Sequence, residues 1–141
     1  MLKNCDLDVK QQFLALFETV VRLEFSKDDY VICGSGPLAI RNVRAAYDID
    51  LWVTSGLWSK LIEKYPTIGK KQNCICIDHV EIWKDWMNLT DRQEEVFAAC
   101  EIFENLPFMS LEHCIEWKAW LRRPKDLEDI EIIQTQVEIV E

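Results

Sequence analysis

The sequence lacks any long apolar run: none approaches the ~18 residues a membrane span requires, so no span is expected. Glycine and proline are scarce, four of each in 141 residues, and they are scattered, with no low-complexity tract, repeat or linker. One domain is therefore expected, close to the usual ~150 residues. Basic residues are the minority: 16 Lys and Arg against 25 Asp and Glu leave a net charge of −9, a field that repels long nucleic acids. The N-terminus Met1-Leu2-Lys3-Asn4-Cys5-Asp6 lacks the basic-then-apolar order of a secretion signal, so a soluble, cytoplasmic protein is expected. In that compartment the six cysteines read as buried thiols and not as a disulfide framework.

What the chain does have is apolar mass. Hydrophobic residues make up 49%, with six Trp and six Phe, which excludes disorder and suffices to bury roughly two-thirds of the unfolded surface. Val9, Phe13, Leu16, Phe17, Val20 and Val21 recur at helical spacing, predicting one helix over 8–24 capped by Asp6 or Asp8. Tyr30-Val31-Ile32-Cys33 predicts a strand ending at Gly34-Ser35-Gly36, and Pro37 suits the first position of a short helix to about Val43. Ile49, Leu51 and Val53 alternate with Asp48, Asp50 and Trp52, the period of a strand.

A helix follows Ser55-Gly56, and 74–77 with 80–83 read as a hairpin about Asp78-His79. Thr90 and Gln93 resemble a capping box for a helix from about Asp91, and part of 99–103 reads as either helix or strand. Ser110 suits the cap of a helix through Leu121, His113 reads as a surface residue near its start, and a last helix follows Pro124. The interleaving predicts an α/β or α+β class: a mixed sheet with the 30–33 and 48–53 strands adjacent and helices mostly on one side.

The chemistry concentrates around Gly34 and Asp48. Glycines at a strand-to-helix turn let a phosphate approach backbone N–H groups, although no Gly-Lys-Ser/Thr follows to make a P-loop. Asp48 and Asp50, two apart on a strand, share one face with Cα atoms ~6.5–7 Å apart. Such carboxylates repel unless a cation sits between them, and magnesium bound by one or two carboxylates plus substrate phosphates is one solution. A solvated edge strand is the plainer reading, but Ile49, Leu51 and Val53 make the strand look central. A second charged feature lies near the end. From Glu101 onward there are ten acidic and four basic residues, and all four bases fall in 118–125, which holds no acid. Lys118 and Arg122 lie one helical turn apart, a confined basic spot that suits a triphosphate better than a long polyanion.

Gly34-Ser35 followed by Asp48-Ile49-Asp50-Leu51 resembles the signature of the nucleotidyltransferase superfamily: strand, Gly-Ser, helix, then Asp-x-Asp on the next strand. Arg44 stands where the minimal and abortive-infection-type branches, some of them toxin–antitoxin-like, often carry an Arg before the two Asp; those branches favour Ser or Thr where this chain has Ala46. Lys118 through Ile130, with Arg122, Lys125, Asp126 and Asp129, resembles the late motif of the same branch, so the resemblance spans about residues 30–133.

A single domain over 1–141 is expected, with an N-terminal helix (1–25) outside the resembling motifs, C-terminal helices (110–141) and, as the resemblance implies, a sheet core of nucleotidyltransferase type (30–90). The resemblance implies transfer of a nucleoside monophosphate from an NTP, with Mg2+ or Mn2+, to a hydroxyl. Asp48, Asp50 and a third acid would hold the metal and carry catalysis. Gly34, Ser35, Arg44, Lys118, Arg122 and Lys125 would bind the nucleotide. Glu81, between Val80 and Ile82 in a strand, is preferred as the third acid over Asp78, which sits in a turn where Asp is common. The charge balance favours a protein or small-molecule acceptor over RNA. A member that binds a nucleotide or a protein partner without catalysis is the alternative.

Overall fold

The computed structural model describes residues 8–65 and 73–136; the expectations for 1–7 and 137–141, at the outer ends of the terminal helices, lie outside them. Among the described residues six strands form one mixed sheet. In chain order they are β1 (Tyr30–Cys33), β2 (Ile49–Val53), β3 (Cys74–Ile77), β4 (Val80–Trp83), β5 (Glu101–Phe103) and β6 (Leu106–Phe108). Their spatial order is β3-β4-β2-β1-β6-β5. β1 and β2 are adjacent and antiparallel, with Cys33 opposite Asp50, and β2 runs parallel to β4, with Asp50 opposite Glu81. The Asp-x-Asp strand is thus interior, as its apolar residues implied. Pro107 removes one ladder donor, yet β6 is held by the parallel pairing of Ile32 with Phe108 and by Met109 N–H on Ile32 O at 2.8 Å.

Among the described residues seven α-helices surround the sheet: α1 (Val9–Leu14), α2 (Phe17–Leu23), α3 (Gly36–Ala39), α4 (Ser55–Lys64), α5 (Gln93–Ala98), α6 (Leu111–Leu121) and α7 (Pro124–Gln136). They cover both faces, which corrects the expectation of a one-sided arrangement. Strand alternation is the cause. Ile32, Ile49, Leu51 and Val53 face Phe13, Phe17 and Val20 of α1 and α2 and Trp58 and Leu61 of α4. Val31, Cys33 and Trp52 face Leu89, Val96 of α5 and Cys114 and Trp117 of α6. With apolar residues on both sides, neither face of the sheet can be left to water. Among the described residues no helix is long and apolar enough to cross a membrane.

Local signals explain the helix ends. Asp8 caps α1, accepting from Gln11 N–H at 2.7 Å, and Ser110 caps α6, accepting from His113 N–H at 3.2 Å. The expected single helix over 8–24 is broken at Ala15-Leu16, where Leu16 N–H bonds Phe13 O in a tighter i,i+3 turn. That break sets Phe17 edge-on to Phe13, ring centres 5.0 Å apart, and both rings reach Phe108. The helix after Pro37 is shorter than expected, a single turn ending at Ala39. His113 is buried and not a surface residue: its Nδ1 lies 2.9 Å from Ser110 Oγ and its Nε2 3.0 Å from Glu95. The five described cysteines are free thiols, three of them buried.

Two glycines separate packing from propensity. A Cβ on Gly36 would sit 2.6 Å from Ile32 Cγ2 and 3.1 Å from Phe13, whereas one on Gly56 would meet nothing within 4 Å. Gly36→Ala is expected to cost about 1–3 kcal/mol by overpacking, and Gly56→Ala to gain about 0.4–1 kcal/mol by restricting the unfolded chain. Urea denaturation of the two variants beside the wild type reads both signs.

Candidate functional site

The end of β1, the start of β2 and the middle of β4 bring three carboxylates into one neighbourhood. Asp50 is held between its strand neighbours. Gly34, at φ +65°, turns the chain out of β1, and any Cβ there would run into Asp50 Oδ2. The glycine therefore serves twice: it takes a left-handed conformation that other residues resist, and it leaves room for a carboxyl. Trp83 Nε1 donates to Asp50 Oδ1 at 3.1 Å from β4. Glu81, two residues earlier on the same face of β4, is the registered neighbour of Asp50 and hydrogen-bonds its carboxyl.

The electrostatics follow from this geometry. Burial pushes the Asp50 carboxyl up; the Trp83 hydrogen bond opposes the rise, while the bond to Glu81 and the charges of Glu81 and Asp48 add to it, to about 7. Two carboxyls in contact need a proton or a cation between them. Asp48, just before β2, is exposed and close enough for its charge to be felt at Asp50. Among the described residues no group of three or more His, Cys, Asp or Glu closes into a metal cage. Magnesium does not need one: it takes one or two carboxylates and completes its shell with water and substrate phosphates. The Asp50–Glu81 pair, with Asp48 beside it, fits a cation of that kind.

A cavity of about 440 Å³ opens beside these acids, walled by Ser35, Arg44, Tyr47, Asp48, Asp50 and Lys125 among others. Ser35 makes no capping bond to α3. Of the basic residues singled out by sequence, Arg44 and Lys125 reach this wall. Arg122 is exposed at the C-terminal cap of α6, in a left-handed conformation at φ 56°, and is not part of the wall. Lys118 has partners other than those expected. It is 2% exposed, its Nζ lies 2.9 Å from Asp129 and 3.8 Å from Asp126, and both carboxylates are buried. Asp129 also takes the Arg44 guanidinium, which lies 3.6 Å from Glu128 as well, and Arg123 pairs with Asp126. Of the four bases in 118–125, Lys118 and Arg123 are thus engaged by Asp126 and Asp129 of α7.

The two candidates for the third acid part company. Asp78 stands in the β3–β4 turn at φ 54° and faces α2, 3.5 Å from Arg22 and 3.3 Å from Thr19. Glu81 faces Asp50. Arg41, near Arg44 in sequence, turns away onto Pro37 O, Glu101 and the Phe103 ring. Sequence reasoning missed three participants: Trp83 as a donor to Asp50, Asp129 as the anchor of Arg44, and Tyr47 in the cavity wall. Only Trp83 had a usable signal, since strand alternation puts it on the face of Glu81. No protein-family model matches the chain, and a comparison with curated proteins finds no match.

Because its pKa is raised on folding, Asp50 binds a proton more tightly in the native than in the unfolded state. The stability it contributes is full below about pH 4 and is lost as pH rises toward 7. Thermal melts of wild type and Asp50→Asn between pH 4.5 and 8 should diverge, the wild type losing stability relative to the variant as pH rises. Equal slopes would mean that Asp50 titrates normally. Asp129→Ala should cost about 3–5 kcal/mol in urea denaturation, since it strips the buried Lys118 of its nearest carboxylate.

Proposed function

We propose that the protein is a magnesium-dependent nucleotidyltransferase that moves a nucleoside monophosphate from an NTP to a hydroxyl on a protein or small molecule. The observation that carries this reading is the contact of Asp50 with Glu81 beside Asp48, at the wall of a cavity that also holds Ser35, Arg44 and Lys125. Acids and bases in one cavity wall suit a metal-bound triphosphate, with cation and phosphates each finding opposite charge. The Gly34-Ser35 turn and the Asp48-x-Asp50 strand support the reading through their resemblance to the superfamily signature.

In this reading the site would take Mg2+ or Mn2+, which when bound would supply neutralisation of charge on the phosphates. Asp48, Asp50 and Glu81 would hold it, and Trp83 fixes the Asp50 carboxyl in place. Arg44, oriented by Asp129, and Lys125 hold phosphate oxygens. Lys118 would position Arg44 through Asp129, the carboxylate they share, and Arg122, exposed at the end of α6, would add positive charge. An RNA acceptor meets long-range repulsion from a chain of net charge −9, screened only beyond ~8 Å at physiological salt.

Calorimetry with ATP, GTP, CTP and UTP, with and without Mg2+, tests binding, and labelled-NTP transfer to bulk RNA and to protein extract tests the acceptor. One NTP should bind only with Mg2+, and label should enter protein or small molecules. Asp50→Asn should cut transfer more than about 100-fold, at least the loss typical of metal-site residues. Magnesium-independent NTP binding with no transfer would favour the non-catalytic alternative. Strong RNA labelling at physiological salt would overturn the charge argument for the acceptor.

A further inference from the structure

The nucleotidyl-transfer reading leaves one cavity residue without a task. Tyr47 is 75% exposed, more than any other large hydrophobic side chain described, and it directly precedes Asp48 in the cavity wall. Its ring joins neither buried cluster on the two faces of the sheet. Its hydroxyl has no hydrogen-bond partner among the described residues. Exposing an aromatic ring to water costs hydrophobic free energy that burial would recover, so packing does not account for its position. Two side-chain hydroxyls stand in the wall, those of Ser35 and Tyr47. Ser35 belongs to the tight turn beneath α3, whereas Tyr47 projects from the irregular segment leading into β2.

The geometry points to Tyr47 as an acceptor of the protein's own transfer reaction, so that the chain nucleotidylates itself next to its acidic cluster. This rests on the nucleotidyl-transfer reading and adds the identity of one acceptor. The co-reactant is a nucleoside triphosphate with its magnesium. The phenolic oxygen of Tyr47 forms a bond to the α-phosphorus, and the bond from that phosphorus to the oxygen bridging the β-phosphorus breaks. Pyrophosphate leaves, and the phenolic proton passes to water, which the 75% exposed side chain meets. No electrons change hands, and the product is a tyrosyl phosphodiester. Attack within one chain benefits from high effective concentration. The product occupies the cavity mouth and places a negative charge beside Asp48, so the modification limits itself to one turnover and restrains transfer to other acceptors.

The test uses the whole protein with Mg2+ and each of the four NTPs, labelled at the α-phosphate, with no added acceptor. Intact mass should rise by one nucleoside monophosphate per chain, peptide mapping should place it on Tyr47, and the rate per chain should stay constant as the protein is diluted. Tyr47→Phe keeps the ring and loses the hydroxyl; a parallel melt checks that it folds. Its label should fall more than about 100-fold, since an acceptor elsewhere on the chain is not held beside the acidic cluster. Label on another residue, a rate that falls with dilution, or undiminished labelling of Tyr47→Phe would overturn the inference. A wild type that binds an NTP and labels protein extract but not itself overturns self-modification and leaves nucleotidyl transfer standing. No magnesium-dependent NTP binding at all would remove both.

Discussion

Asp50 stands half-buried against a second carboxyl, and the region around the cavity is arranged to accommodate that contact. Its register with Glu81 requires β2 and β4 to run parallel, side by side. Its register with Cys33 sets the end of β1, where Gly34 must be a glycine because the Asp50 carboxyl occupies the space of a Cβ. A half-buried pair of like-charged groups is unfavourable by itself, and an amide at either position would relieve it. In the proposed reading, a cation arriving with the substrate would offset that cost.

The other side of the cavity is governed by the opposite problem, cations that must be kept in place. Arg44, Lys118 and Arg123 converge on Asp126 and Asp129 of α7, and the two aspartates and Lys118 are buried. Buried ions are tolerated only when each is paired and hydrogen-bonded, and here each acid serves two bases. The network joins α6 and α7 to the segment before β2, so the helical hairpin sets where Arg44 stands. It also consumes charge: of the cations near the cavity, Lys125 is exposed and reaches the wall without belonging to this network.

How much of this was legible in the sequence depended on whether a feature is local. The order strand, Gly-Ser turn, strand could be read because Val31-Ile32-Cys33 and Ile49-Asp50-Leu51 carry their own periodicity and Gly34 their punctuation. The caps at Asp8 and Ser110 and the turn at Asp78-His79 are equally local. Glu81 could be preferred over Asp78 because a carboxylate between two buried aliphatic residues needs a partner. Its being Asp50 required the parallel β2–β4 register, which no short stretch encodes. The same holds for Lys118. Its helical position shows that it lies beside the apolar stripe, but its partners are set by how α7 folds back on α6. The break at Ala15-Leu16 and the strand through Pro107 ran against local propensity, and packing of Phe13, Phe17 and Phe108 overrode it. Tyr47 carried no signal at all, since exposure is a tertiary outcome.

The central claim is that Asp50 and Glu81 are held together to share a divalent cation brought in with a nucleotide. A crystal structure of the protein grown with Mn2+ and a non-hydrolysable NTP analogue, recorded for anomalous scattering from manganese, addresses it directly. The account predicts an anomalous peak bridging the Asp50 and Glu81 carboxylates, with Asp48 or a phosphate oxygen completing the shell. A pair that stays in hydrogen-bonded contact, with no manganese between or beside the two acids and the analogue bound elsewhere or absent, would contradict it.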